Sequence, residues 1–121
     1  MRQIKFRAWH SGHPVDGDKR KGVMMNWGEF HFDSWLGSEF LMQFTGLLDK
    51  NGKEIYEGDI FAEHRSGEED EPFAKVAYDT DLGAFVAEKS NGGWDYLSVF
   101  LEEERRSSII GNIYENPELL K

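Results

Sequence analysis

Residues 44–60, FTGLLDKNGKEIYEGDI, decide the fold. Phe44 to Leu48 is a β-prone run that halts at Asp49-Lys50-Asn51-Gly52. Asp49 can accept a hydrogen bond from its own backbone two residues on, and Gly52 can take a positive φ at little cost, a tolerance that Asn51 partly shares. Two such runs separated by such residues form a hairpin. Ile55 and Tyr56 resume the apolar pattern, Glu57-Gly58-Asp59 breaks it, and Ile60-Phe61-Ala62 starts a third run. The segment therefore reads as strand, tight turn, strand, Gly-Asp, strand.

A Gly-Asp pair ahead of a β-rich run is how many small SH3-like barrels open their first long strand, and the pattern downstream suits such a barrel. It gives a strand from Ile60 to Arg65, an acidic loop from Ser66 to Pro72 and a strand from Phe73 to Tyr78. A turn over Asp79 to Gly83 leads to a strand from Ala84 to Lys89, and Asn91-Gly92-Gly93 turns into a short strand from Trp94 to Leu97. Ser98 to Glu103 reads as a helical turn and Ser108 to Tyr114 as the closing strand. Asn116 stands where it caps a last helical turn, with Pro117 at the first position and Glu118 beside the positive helix end. Leu119 and Leu120 then cover one mouth of the core.

Upstream, Arg2 to Trp9 alternates, which places Ile4, Phe6 and Ala8 on one face and Lys5, Arg7 and Trp9 on the other. Ile4 and Phe6, together with Ile110, Ile113 or Tyr114 of the closing segment, are expected in the interior. His10 to Gly22 is rich in glycine and charge and reads as a loop, with Val23 to Trp27 returning as the partner of an N-terminal hairpin. Gly28 to Gly37 is open between a loop, a short strand and one helical turn.

Composition narrows the function classes. A chain of 121 residues makes one domain with one core. Its nine Phe, four Trp and four Tyr against three Pro fit an ordered β-rich domain. With no cysteine there is no disulfide, thiolate nucleophile or Cys-ligated zinc, and a reducing cytoplasm is the expected home. No apolar run approaches the roughly 20 residues that span a bilayer. A formal charge of −9 opposes general nucleic-acid binding, which rewards clustered Lys and Arg. Lys19-Arg20-Lys21 is a local exception, while Glu68-Glu69-Asp70-Glu71 and Glu102-Glu103-Glu104 carry much of the acid.

Candidate chemistry is sparse. His10, His13, Asp16 and Asp18 are ligand types for a divalent metal, but they fall in a glycine-containing loop with no rigid frame, so no metal is expected. His31 and Asp33 pair without a nucleophile, and His64 follows Glu63 at a strand end. Asp79-Thr80-Asp81 is turn chemistry, without calcium-loop spacing. Gly92-Gly93 precedes Trp94 and not a Lys-Ser helix opening, and neither Ser34 nor Ser107-Ser108 has a nucleophile-elbow context. No catalytic residue and no cofactor follows. Trp9, on the polar face beside Arg7, is placed to anchor a partner, and Arg7, Trp9, Trp27 and Trp35 are the candidate partner-binding residues.

Three segments in order carry a family resemblance: Met1-Arg2-Gln3-Ile4-Lys5-Phe6-Arg7-Ala8-Trp9, Gln43 to Ile60, and Ile110-Gly111-Asn112-Ile113-Tyr114-Glu115-Asn116-Pro117-Glu118-Leu119. In these the chain resembles the YopX family of small phage and prophage proteins. It departs modestly: Phe44 stands where Tyr is usual, Leu48 where Lys is common and His10 where an acidic residue often occurs. The resemblance implies an SH3-like barrel over residues 41–121, an N-terminal β extension over residues 1–40 and a phage or prophage origin. It supplies no established activity. Gly46, Asp49, Asn51, Gly52, Gly58, Asp59, Gly111, Asn112, Asn116 and Pro117 are expected to be structural. The expected fold is mainly β: the barrel, its β-hairpin extension and short helical turns near the C-terminus. The expected function is that of a noncatalytic accessory protein that contacts an unidentified protein or a second copy of itself, with no nucleic acid or membrane. An acidic decoy for a DNA-binding protein and a metal-dependent enzyme are the alternatives.

Overall fold

The hairpin anticipated at residues 44–60 is the centre of the structure. In the computed structural model, residues 3–10, 23–25, 39–63, 71–103 and 108–120 are described. Strand β3 (Glu39–Leu48) turns through Asp49 to Lys53 into β4 (Glu54–Tyr56). Asp49 holds the turn: its Oδ1 accepts the amides of Asn51 and Lys53, each at 2.8 Å, and Gly52 follows at φ +81°. Asn51 needs no positive φ, since among the described residues only glycines adopt one.

Strand β1 (Phe6–His10) lies between β2 (Val23–Met25) and β3, in the antiparallel order β2-β1-β3-β4. The expected N-terminal hairpin is present, with Ala8 opposite Met25 and Trp9 opposite Met24. It is joined to the rest because the first half of β3 pairs with β1, from Phe6 opposite Gln43 to His10 opposite Glu39. The second half pairs with β4 across a β-bulge between Phe44 and Leu48, where Gly46 has φ +86°. One long strand thus serves both parts of the sheet.

After Glu57-Gly58 the chain enters β5 (Asp59–Glu63) and continues through β6 (Glu71–Asp79), β7 (Ala84–Lys89), β8 (Trp94–Tyr96), helix α1 (Leu97–Glu103) and β9 (Ile109–Asn112). These strands form a second antiparallel sheet, in the order β8-β7-β6-β5-β9. A final 3-10 turn spans Pro117–Leu120. The fold is therefore mainly β, as expected, and among the described residues it is two antiparallel sheets with one short helix.

The main core lies between β3–β4 and the five-stranded sheet. Ile55, Phe61, Ala74, Val76, Ala87, Leu97 and Phe100 are buried there, with Leu47 and Ile109 packed against them. A second cluster of Met42, Phe44 and Tyr56, joined by Trp9, Met24 and Tyr114, occupies the other side of β3–β4. Adjacent residues Ile55 and Tyr56 thus serve opposite faces, as strand alternation requires.

Glu57-Gly58 is the joint between the sheets. The Glu57 amide donates to Gln43 O at 3.0 Å, and the Gly58 amide donates to Val76 O at 2.8 Å. Gly58 O in turn accepts from Ile113 N at 2.9 Å. Gly58 has φ +85°, and a Cβ there would stand 3.2 Å from Ile113 Cγ1. Replacement of Gly58 by Val is expected to cost about 1–3 kcal/mol, because it forces a left-handed backbone on a β-branched residue. Chemical denaturation at neutral pH reads this directly, and an unshifted midpoint would refute it.

Two expectations at the termini are corrected. Ile4 is 63% exposed, because it precedes the first pair of β1 and lies outside the strand pairing. The closing strand stops at Asn112, two residues early, because Asn112 Oδ1 accepts the amides of Tyr114 and Glu115 at 3.1 and 2.8 Å and folds them into a turn. Ile110, Ile113, Tyr114 and Leu119 are half-buried, while the Leu120 side chain lies outside the described residues.

Candidate functional site

The Arg7 side chain of β1 is buried, and Lys5 precedes the strand on the same face. Lys5, Arg7 and Trp9 share the face expected to be polar, but that face lies on Phe44 and Tyr56. The Lys5 ammonium is ion-paired with Glu54 and stands 4.8 Å from the centre of the Phe44 ring. The Arg7 guanidinium stands 4.6 Å from the centre of the Tyr56 ring. Its Nη2 donates to Asp59 Oδ1 at 2.6 Å, and Asp59 Oδ2 accepts the Tyr56 amide at 2.8 Å. Arg7 is therefore not a surface anchor. A carboxylate awaited it, and its aliphatic stem tolerates burial.

Burial pushes the Asp59 carboxyl above the usual carboxylate range, against the opposing pull of Arg7 and of the Tyr56 amide. Burial likewise raises the phenols of Tyr56 and Tyr114. A raised carboxyl beside Arg and Tyr has the composition of an acid-base site. Its geometry is that of a strut, since Asp59 is 1% exposed and both of its oxygens are engaged within the fold. The pair ties the N-terminal sheet to the first residue of β5.

The other residues expected to be structural act locally. Gly111 has no room for a side chain, as a Cβ would meet Asn116 Oδ1 at 2.5 Å. That Asn116 oxygen accepts the Asn112 amide at 3.2 Å, while the Asn116 carbonyl accepts from Leu119 N at 3.0 Å. Asn116 therefore stands at the head of the last turn, but its side chain reaches back to β9 and does not cap forward. Asp49 also reaches β9, where its Oδ2 accepts from Ile109 N at 3.4 Å.

Of the candidate partner-binding residues, Arg7 is buried, Trp9 is half-buried against the second cluster, and Trp27 and Trp35 lie outside the described residues. His13, Asp16, Asp18, His31, Asp33 and His64 also lie outside, as does the side chain of His10. Among the described residues no group of His, Asp and Glu is arranged to hold a metal ion. No helix among them is long and apolar enough to cross a membrane.

Among the described residues, the exposed aromatics sit elsewhere, near the β8 edge of the five-stranded sheet. Trp94 and Tyr96 of β8 are 49% and 44% exposed, and Tyr78 at the end of β6 is 43% exposed. Trp94 and Tyr96 meet edge to face with ring centres 5.4 Å apart, and Tyr78 meets Phe85 in the same way at 5.1 Å. Two shallow depressions flank these rings. One of about 260 Å³ is lined by Ala77, Tyr78, Asp79, Val86, Glu88 and Trp94 among others. The other, of about 310 Å³, runs from Tyr78 and Gly83 to Tyr96 and Ser98. A signal for this face was present in the sequence: Trp94 and Tyr96 alternate with Asp95 after the Asn91-Gly92-Gly93 turn, which sets both rings on one side of a short strand.

A family model described as YopX protein matches residues 13–121. The chain belongs to the YopX family. Among solved structures, this YopX family member is similar to the crystal structure of protein EF1440 from Enterococcus faecalis. The two are 27% identical with a TM-score of 0.61, and all of each chain is covered. No curated protein matches. The family's central and C-terminal segments are where Gly58, Asp59, Gly111, Asn112 and Asn116 tie strands together, so what these YopX residues do here is hold the fold.

Proposed function

We propose that this YopX family member is a noncatalytic accessory protein of phage or prophage origin, acting in the host cytoplasm through contacts with another protein. The observation that carries the reading is the exposed aromatic pair Trp94 and Tyr96 on one face of β8, which among the described residues is an edge strand. Exposed aromatic side chains give contact area at little entropic cost and dominate recognition energetics. A strand with one free edge also accepts an added strand. The partner-binding role expected of Arg7 and Trp9 passes to this face, because Arg7 is used inside the fold.

We also read the two sheets as an SH3-like barrel over residues 41–121, with residues 1–40 as its extension. The support is the main core, in which Leu47 and Ile55 of one sheet meet Phe61, Val76 and Ala87 of the other. Small barrels of this kind use exposed aromatics to hold peptides, which is an argument from fold alone.

The test is quantitative capture from lysogenic cells with tagged protein. A partner held by the parent should be lost by Trp94→Ser/Tyr96→Ser and kept by Leu48→Ser, an exposed control on the other sheet. Circular dichroism confirms that both variants fold. Equal recovery of every captured protein by parent and double variant would refute the reading.

A further inference from the structure

We propose that the β7–β8 edge binds a basic, extended segment of its partner, with an Arg or Lys side chain entering the depression beside Trp94. This rests on the reading of the aromatic face as a protein contact, and it adds the chemistry of the occupant. Glu88 stands directly opposite Trp94 across the β7–β8 pairing, and both are exposed. The Glu88 carboxylate makes no hydrogen bond or ion pair among the described residues. Asp79 contributes a second negative charge to the same depression, its Oδ1 held by the amides of Asp81 and Leu82 at 2.9 and 3.0 Å.

Of the nearby cations, Lys89 pairs through Nζ with Asp95 at 2.6 Å, and Lys75 stands opposite Glu88 on the β6 side, away from Trp94. The depression is lined by two acidic residues, Glu88 and Asp79, and by Trp94. A guanidinium or ammonium meets both demands at once, through charge pairing and through attraction to the aromatic faces. Beyond the depression, β8 has a neighbour on one side only among the described residues, so the flanking backbone of an extended segment can continue the sheet. A second copy of the chain is the poorer occupant, because each copy carries a formal charge of −9 and the pair would repel.

The experiment is a titration of labelled protein with an eight-residue peptide of alternating Arg and Val. Peptides of alternating Glu and Val and of alternating Ser and Val serve as controls, and amide shifts and affinity are read together. The Arg peptide should shift amides in Ala84–Lys89 and Trp94–Tyr96, and the other two should not. Glu88→Lys should weaken the Arg peptide about tenfold, in the range expected for loss of a close charge pair. Glu118→Lys, an exposed change of the same charge in the final turn, should leave binding unchanged.

Equal binding of the Arg and Ser peptides, or equal weakening by Glu88→Lys and Glu118→Lys, would overturn the proposal. A dimer that Trp94→Ser dissolves would also overturn it, by naming a second copy as the occupant. In each of these cases the broader protein-contact reading stands if Trp94→Ser/Tyr96→Ser still loses its captured partner. If the double variant keeps that partner, both readings fail.

Discussion

Replacing Asp59 by Ala is expected to destabilise the protein by about 3–5 kcal/mol, because it leaves the Arg7 guanidinium buried without its carboxylate. The Tyr56 amide loses its acceptor in the same step. A double variant, Arg7→Met with Asp59→Asn, removes both charges and keeps an oxygen for the Tyr56 amide, so it should be more stable than Asp59→Ala alone. Equilibrium urea denaturation decides both points. A loss below about 1 kcal/mol in Asp59→Ala would place the pair among exposed salt bridges, against its burial.

The same residue sets a pH dependence. The Asp59 carboxyl is raised in the folded state, so the folded protein holds that proton more tightly than the unfolded chain does. Its contribution to stability is therefore fully present below the ordinary carboxylate pKa and is lost as pH rises through the folded value. The Arg7→Met/Asp59→Asn variant should lack this decline. Subtracting its stability curve from that of the parent isolates the effect, and a difference that rises with pH over that window would contradict the sign.

The second large effect is expected at Phe100. Its ring is fully buried and meets Phe61 edge to face with centres 5.4 Å apart, and Phe73 at 6.1 Å. Phe100→Ala should cost about 3–5 kcal/mol, from lost burial and the cavity left behind. The consequence reaches beyond the core. Helix α1 has seven residues, too few to persist alone, so its attachment depends on Leu97 and Phe100. A cooperative transition shifted by less than about 1 kcal/mol would show that the core closes without this ring.

Most of the strand order was legible because turns announce themselves chemically. Asp49-Lys50-Asn51-Gly52, Glu57-Gly58-Asp59, Asp79 to Gly83 and Asn91-Gly92-Gly93 all punctuate the chain where the structure turns. Less legible was that both faces of β1 are covered. Ala8 is buried on the apolar face as its pattern implies, but Arg7 is buried on the other, because its carboxylate partner Asp59 is remote in sequence. The length of β9 was hidden for a related reason, since Asn112 ends it with a side-chain bond that a strand pattern does not encode. The exposure of Trp94 and Tyr96 was not legible either, because alternation sets both rings on one side of the strand without saying whether that side is covered.

The position of β9 bears on how the protein is made. β5 pairs with β6, which follows it closely, and with β9, whose Ile109 to Asn112 emerge after every other strand. During synthesis one border of β5 waits for its neighbour, and so do Asp49 Oδ2 and the Gly58 carbonyl, whose acceptances come from Ile109 and Ile113. Arg7 waits similarly for Asp59, 52 residues later. Pairings of such separation are slow to close. The nascent chain thus has its adhesive border uncovered until β9 has been made, the interval in which a chaperone or a neighbouring nascent chain has most access to it.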